Sequence, residues 1–124
     1  MNYLFDTNAV IYLLKGETKI PDPAAADQLY ISFISKIELL AYPHQKVECQ
    51  RIEQFLSSVS IMYIDDSLIE IAVKIRMQHN LQLPDAIIVA SAITKDAVLL
   101  TADQRIIKKA SAMGVAVLDP LSGK

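Results

Sequence analysis

The chain has 124 residues, of which 52% are hydrophobic and 21% are charged, and its formal net charge is −2. The length predicts one domain, residues 1–124, that can bury a core, and the composition excludes an intrinsically disordered chain. The single cysteine excludes an intrachain disulfide, and no apolar stretch approaches the roughly 20 residues that span a bilayer, so we expect a cytoplasmic protein.

Segments of β-prone residues alternate with segments whose apolar residues have a helical spacing. In chain order, the predicted elements are strand 2–5, helix 8–15, loop 16–27 with a short helical turn at 24–26, strand 29–31, helix 33–42, helix 47–57, strand 60–64, helix 66–80, a helix that begins at Pro84, strand 98–101, helix 103–112 and strand 115–118. Local signals mark several helix ends. Gly16 stops the first helix, Ser32 caps the second, Asp66 caps the fourth, and Pro84 takes the first position of the fifth.

This alternation predicts an α/β fold in which a central, mostly parallel five-stranded sheet is flanked by helices on both faces. Right-handed crossovers place the carboxyl ends of all strands at one edge of such a sheet. Ligands of open α/β sheets bind at that edge, near the point where the strand order reverses. Residues that directly follow strands are therefore the first candidates for a functional site.

Four acidic residues stand out by their positions. Asp6 directly follows one predicted strand and Asp103 follows another, Asp85 lies in the first turn of a strongly apolar helix, and Glu38 lies inside an otherwise apolar helix. Taken singly, three of them have ordinary structural explanations. Asp6 can begin a turn, and Asp103 can cap a helix. Asp85 can interact favourably with the dipole of its helix, which stabilises the helix by roughly 0.3–1 kcal/mol.

Glu38 is harder to explain by structure alone. Its neighbours Ile37, Leu39 and Leu40 predict a mostly buried helix, in which an unpaired carboxylate is costly to ionise. Lys36 is a poor partner for it, because residues two apart point to different sides of a helix. The pattern therefore favours a metal or another cation beside Glu38, and the alternative is a partly exposed helix edge.

Convergence of the four acids at the sheet edge would make an empty cluster unfavourable through mutual repulsion, which a hard divalent cation removes. Oxygen ligands favour Mg²⁺ or Mn²⁺, whereas two histidines and one cysteine argue against a structural zinc site. An acidic cluster with one or two such ions can orient a water, lower its pKa and stabilise charge on a phosphoryl group. Because the net charge is −2, the metal would also supply the local positive charge that a phosphodiester requires.

Four segments, in the same order and at similar spacing, resemble the motifs of PIN domains. They are Leu4-Phe5-Asp6-Thr7-Asn8, Ser35-Lys36-Ile37-Glu38-Leu39, the run 83–90 around Asp85, and Leu99-Leu100-Thr101-Ala102-Asp103. The similarity extends over residues 1–118. By these motifs the chain is most similar to the small prokaryotic PIN proteins that act as VapC toxins of type II toxin–antitoxin pairs.

The resemblance implies a PIN-like fold, with a parallel five-stranded sheet between layers of helices. It implies a Mg²⁺- or Mn²⁺-dependent endoribonuclease that cleaves RNA and leaves a 5′-phosphate and a 3′-hydroxyl. It also implies a homodimer that a small cognate antitoxin holds inactive.

Carried over onto this sequence, the resemblance gives a catalytic and metal-binding quartet with two supporting residues: Asp6, Glu38, Asp85 and Asp103, with Thr101 and Asn8. Many PIN proteins carry a further Asp-Phe pair soon after the last motif, where this chain reads Arg105-Ile106-Ile107. The fourth acidic position therefore depends on Asp103 alone.

Five basic residues are candidates for contacts with substrate phosphates, provided that they surround the same edge of the sheet: Lys15, Lys36, Arg105, Lys108 and Lys109. For Lys108 and Lys109, a solvated helix face is the favoured interpretation.

Three other classes of protein share some of these features. A response-regulator receiver domain has the same length and alternation, but it places its adjacent acids after the first strand, whereas Asp65 and Asp66 are central here. A haloacid-dehalogenase-like phosphatase that uses Asp6 as nucleophile requires a second Asp where Asn8 stands. A catalytically inactive PIN-like module, which binds RNA or protein, usually lacks the acidic ligands that this chain retains.

Overall fold

The structure is a computed structural model that describes residues 1–17, 28–41 and 46–122. Most of the predicted loop 16–27, including the turn at 24–26, lies outside the described residues, as does Tyr42 at the end of the predicted helix 33–42. The elements, in chain order, are β1 (Asn2–Phe5), α1 (Thr7–Leu14), β2 (Gln28–Ser32), α2 (Phe33–Ala41), α3 (Lys46–Ser58), β3 (Ser60–Met62), α4 (Asp66–His79), α5 (Leu83–Thr94), β4 (Ala97–Leu100), α6 (Gln104–Ala112) and β5 (Val117–Leu118).

The strands form a parallel sheet in the order β3-β2-β1-β4-β5, which confirms the predicted five-stranded α/β fold. β1 lies at the centre, where Phe5 pairs with Ile31 on one side and with Leu100 on the other. The chain builds outward from β1 through β2 to β3, and then crosses to the opposite side of β1 to form β4. The strand order therefore reverses between β1 and β4, and this is the point at which open α/β sheets bind ligands.

Successive side chains along the central strands enter two different cores, as the alternating geometry of a strand requires. Leu4 and Leu99 pack in a core with residues of α4, α5 and α6, whereas Phe5 and Leu100 pack in a core with residues of α1, α2 and α3. The sheet is thus the middle layer of three. Its carboxyl edge, where both central strands end, is fixed in position by packing on both faces.

The apolar run in α5 is explained by its position between α4 and the sheet. The helix contacts α4 and the strands β1, β2 and β4, and each residue from 86 to 92 is buried. Such burial on all sides produces an unbroken apolar run in place of an amphipathic stripe. In the described ranges, no helix is long and apolar enough to span a bilayer.

Several predicted helix ends are confirmed and two are wrong. Gly16 adopts a φ of +74° after α1, and Ser32 Oγ accepts a hydrogen bond from the Ile34 N–H at 3.1 Å, as the caps predicted. Asp65, and not Asp66, caps α4, because its Oδ1 accepts from the Leu68 N–H at 2.8 Å. Pro84 is the second residue of α5, one position later than predicted.

Two strands are shorter than predicted. β3 ends at Met62 because its neighbour β2 ends at Ser32, which is the pairing partner of Met62. Beyond that point a strand has no ladder to continue, and Tyr63 and Ile64 are exposed. β5 begins at Val117, where it first pairs with Leu99, in place of the predicted residue 115.

Candidate active site

Asp6 lies at the switch point of the sheet, where hydrogen bonds of its backbone N–H and of both carboxylate oxygens hold it in place. Its backbone N–H donates to the Leu100 carbonyl at 3.0 Å, which continues the pairing of β1 with β4. Its Oδ1 caps α1 by accepting from the Ala9 N–H at 2.7 Å, and its Oδ2 accepts from the Thr101 hydroxyl at 2.5 Å. Only 5% of the residue is exposed, so Asp6 is a buried carboxylate fixed in one orientation.

Thr101 connects Asp6 to the next carboxylate. The residue is fully buried directly after β4, and its hydroxyl oxygen accepts from the Asp103 N–H at 3.1 Å while its proton goes to Asp6. The parallel register explains the contact, because Phe5 and Leu100 are paired and their successors emerge side by side. The structure therefore brings Thr101 to the position that a supporting residue would need.

Asp103 serves as the N-cap of α6. Its Oδ1 accepts from the Arg105 N–H at 2.9 Å and from the Ile106 N–H at 3.3 Å, so that α6 begins at Gln104, one residue later than predicted. Asp6 likewise caps α1. Both residues therefore have the ordinary structural role of a helix N-cap, and this role also places their carboxylates at the carboxyl edge of the sheet.

Asp85 lies in the first turn of α5, and its closest charged contact is a cation. Arg105 Nη2 donates to Asp85 Oδ2 at 2.7 Å, with 19% of the Asp85 side chain and 47% of the Arg105 side chain exposed. Burial raises the pKa of Asp85, the Arg105 guanidinium opposes that rise, and the charges of Asp103 and Glu38 add to it. Asp85 thus lies within electrostatic range of two other predicted site residues.

Glu38 is not in a mostly buried helix, and that expectation was wrong. α2 buries Ser35 and Leu39, whereas Glu38 is exposed and Ile37 and Leu40 are each 58% exposed. The alternative of an exposed helix edge is the observed one. The burial of Glu38 was overestimated because two of its apolar neighbours, Ile37 and Leu40, face away from the core.

A hydroxyl on the neighbouring helix orients Glu38. Thr7 Oγ1 donates to Glu38 Oε1 at 2.7 Å and also pairs with Ser35 Oγ at 3.0 Å. Thr7 follows Asp6 directly, so the contact links the second acidic motif to the first. Sequence reasoning missed both hydroxyls, although a polar residue at the start of an apolar helix was a usable signal.

The electrostatic coupling among the carboxylates supports their proximity. Burial raises the pKa of Asp6, the hydrogen bonds from Thr101 and from the Ala9 N–H oppose the rise, and the charges of Asp103 and Asp85 add to it. Together with the influence of Glu38 on Asp85, these interactions connect all four carboxylates into one acidic cluster. We call Asp6, Glu38, Asp85 and Asp103 the acidic quartet.

The chemistry of the quartet fits a hard divalent cation, because every donor is a carboxylate oxygen and the charges of neighbouring quartet members raise the pKa of Asp6 and of Asp85. The side chains do not yet converge on a shared point. In residues 1–17, 28–41 and 46–122, no group of three or more His, Cys, Asp or Glu is positioned to hold a metal ion. Each quartet carboxylate instead accepts a hydrogen bond from a protein donor.

The remaining predicted residues are spread around the site. Asn8 is exposed on α1 and lines a groove between α1 and α3 together with Lys15. Lys36 lies over the Tyr63 ring, with 5.9 Å between Nζ and the ring centroid. Lys109 Nζ donates to the Asn80 carbonyl at 3.1 Å. Of the five basic candidates, Arg105 is the one that contacts a quartet carboxylate in the part of the chain that the structure describes.

Comparison with known proteins gives one family and a consistent set of folds. The family model described as PIN domain matches residues 3–112. None of the curated protein sequences compared with the chain matches it. A chain in a toxin–antitoxin complex from Klebsiella pneumoniae is 30% identical, with a TM-score of 0.75, and the alignment covers 95% of this chain and 97% of that one.

Two further solved structures are similar at lower identity. DNA-bound VapBC from Salmonella typhimurium has a TM-score of 0.78 and 19% identity, covering 96% of this chain and 98% of that chain. FitAcB from Neisseria gonorrhoeae has a TM-score of 0.75 and 23% identity, covering 98% and 99%. At these identities, the two similarities show the fold alone.

Proposed function

The chain belongs to the PIN domain family, and we propose that it is a VapC-like, Mg²⁺- or Mn²⁺-dependent endoribonuclease. The observation that carries this proposal is the acidic quartet. Its members come from the end of β1, from α2, from the start of α5 and from the β4–α6 junction, and their charges act on one another at the carboxyl edge of the sheet. Ligands of open α/β sheets bind at this edge.

In this proposal the quartet holds the divalent ion, and the residues around it keep the carboxylates in place. A bound divalent cation supplies a polarised water and positive charge for a phosphoryl group. Thr101 fixes the buried Asp6, and Thr7 orients Glu38. Without a cation, the clustered negative charges would repel a phosphodiester, so the ion is also required for RNA to approach.

The test is RNA cleavage by the purified protein, with Mg²⁺ or Mn²⁺ and with EDTA. Asp6→Asn and Asp85→Asn should each lower the cleavage rate by more than about 100-fold, because each removes a charged ligand with little change in shape. Asp96→Asn is the matched control. Asp96 precedes β4, at the opposite edge of the sheet, and its φ of +47° suits asparagine. Cleavage that survives EDTA, or that both site variants retain, would contradict the proposal.

One observation favours a second candidate function. Asp85 is paired with Arg105 at 2.7 Å, and an acid that is neutralised by a cation of the same chain is also what a catalytically inactive RNA- or protein-binding module would tolerate. Calorimetry separates the two candidates. Binding of Mn²⁺ that Asp6→Asn abolishes supports the nuclease, whereas undetectable Mn²⁺ binding together with undetectable cleavage supports the binding module.

We propose a small antitoxin as the protein partner and a toxin role within a toxin–antitoxin pair. The 30% identical chain from Klebsiella pneumoniae is part of a toxin–antitoxin complex, and it matches this chain over 95% of its length. A small gene beside the coding sequence provides the test. Its product should form a stable complex with this chain and suppress RNA cleavage, and a product that does neither would argue against this partner. The cytoplasmic location stays a prediction.

A homodimer is also proposed, and an exposed apolar surface on the outer side of α4 supports it. We call this surface the α4 face; its exposed members are Ile64, Ile69, Val73, Met77 and Leu83. Met77 is 81% exposed, which is unusual for a large apolar side chain among others of its kind. A contiguous exposed apolar patch of this type is more typical of a surface that binds another molecule than of a surface that stays in contact with water. A second copy of the chain, which would present the same face, is the occupant that we propose.

A further inference from the structure

Arg105 makes a close contact with the acidic quartet that the metal-binding proposal leaves unexplained. Its Nη2 donates to Asp85 Oδ2 at 2.7 Å, within the range of a strong charge-assisted hydrogen bond. The guanidinium is only half exposed, and Asp85 is mostly buried. One of the two carboxylate oxygens of Asp85 is therefore already engaged by a cation of the same chain.

The position of Arg105 in α6 makes this contact unusual. Arg105 is the second residue of the helix, and its backbone N–H donates to the Asp103 cap at 2.9 Å. A positive side chain at a helix N-terminus opposes the helix dipole and is unfavourable there. The ion pair with Asp85 offsets this unfavourable interaction with the helix dipole, and it connects the first turn of α6 to the first turn of α5. Arg105 thus joins two quartet carboxylates, one through its backbone and one through its side chain.

We propose that Arg105 is a resident cation of the quartet, which holds Asp85 in place without metal and must release it before a divalent ion can bind. This rests on the proposed function, because it assumes that the quartet binds the ion. Asp85 faces repulsion from Asp103 and Glu38, and the guanidinium balances those charges. A divalent ion placed within a few ångströms of a guanidinium is repelled by it, so both cannot occupy the same face of Asp85.

The same contact accounts for the orientation of one quartet carboxylate, Asp85. Asp85 is turned to Arg105, and in the described ranges no group of three or more His, Cys, Asp or Glu is positioned to hold a metal ion. Arg105 acts here as a positioning residue, since it touches a metal ligand and not the reacting atoms. In this role Arg105 lowers the affinity of the quartet for metal, and without metal it offsets the repulsion between Asp85 and the other carboxylates.

The test is calorimetric titration of Mn²⁺ into metal-stripped protein. Arg105→Ala should bind Mn²⁺ about threefold to tenfold more tightly than the wild type, which is the range expected when a partly exposed ion pair and a nearby positive charge are lost. Lys108→Ala is the matched control, because it removes an exposed positive charge from the same helix. It should change the affinity less than twofold. Arg105→Lys keeps the charge and should fall between the wild type and Arg105→Ala.

Melting temperature gives a second readout, independent of activity. In EDTA, Arg105→Ala should melt below the wild type, since Asp85 then faces the other carboxylates without its partner. Saturating Mn²⁺ should raise the melting temperature of the variant more than that of the wild type. If Arg105→Ala had the Mn²⁺ affinity of the wild type, or if Lys108→Ala gained as much affinity as Arg105→Ala, the proposed role of Arg105 would be overturned and the metal site would not. Failure of every chain, including the wild type, to bind Mn²⁺ would overturn the metal site as well.

Discussion

Replacement of Asp6 separates its structural role from its charge. In Asp6→Ala, α1 loses its N-cap, which costs about 1 kcal/mol, and the buried Thr101 hydroxyl loses its acceptor, which costs about 1–3 kcal/mol. The sum is about 2–4 kcal/mol. In Asp6→Asn, the side-chain oxygen can still accept from the Ala9 N–H, and the amide can donate to the Thr101 oxygen, although the Thr101 proton then loses its acceptor. Because the substitution also removes a buried charge, it should remain within about 1 kcal/mol of the wild type.

Urea unfolding in EDTA, followed by circular dichroism, measures this difference. Asp6→Ala should lower the urea midpoint by on the order of 1–2 M with an unchanged slope, whereas Asp6→Asn should lie near the wild type. Equal destabilisation by both variants would refute the reasoning, because it would mean that the negative charge of Asp6, and not its hydrogen bonds, stabilises the fold. A neutral Asp6→Ala would show that the cap and the Thr101 contact contribute nothing.

Three further predictions follow from the geometry. In EDTA, the wild type should gain stability relative to Asp6→Asn as the pH falls from 7 towards 4. Burial raises the pKa of Asp6, so the folded state favours the protonated side chain, and this stabilisation is lost as the pH rises through the raised pKa. A difference in the free energy of unfolding in urea that does not change with pH would contradict this. Thr7→Val should weaken Mn²⁺ binding by roughly tenfold in calorimetry, since Glu38 loses the donor at 2.7 Å, and Thr7→Ser should restore it; equal affinities would exclude this orienting role. Val73→Glu should yield a monomer in light scattering, because a charge would be buried in the α4 face; a mass equal to that of the wild type would contradict a dimer through that face.

Hydrophobic periodicity was sufficient to predict the order of the strands and helices along the chain and the parallel arrangement of the strands. Boundaries were harder, because adjacent residues can be chemically equivalent. Asp65 and Asp66 are both good caps, and only the extended backbone of Asp65, with φ of −144° and ψ of 176°, decides between them. The end of β3 depends on where its neighbour β2 stops, which is a property of the sheet and not of the local sequence.

The candidate site shows the same division. Asp6 and Asp103 were predictable because Asp6 directly follows β1 and Asp103 lies in the short junction after β4, and parallel strands end at one edge. The burial of Glu38 was overestimated because apolar side chains on α2, such as Leu40, are exposed. The pairing of Asp85 with Arg105 joins two helices across 20 residues of sequence, and the relative placement of helices cannot be read from the residues. A cation at the start of α6 was nonetheless a signal that an acidic partner was needed.

The most direct test of the metal site is a crystal structure with Mn²⁺, located by its anomalous scattering. We predict an anomalous peak at the carboxyl edge between β1 and β4, with oxygens of the acidic quartet at about 2 Å and the Arg105 guanidinium moved away from Asp85. Mn²⁺ bound elsewhere, with the Asp85–Arg105 contact intact at saturating metal, would contradict the central claim that the acidic quartet is a metal centre.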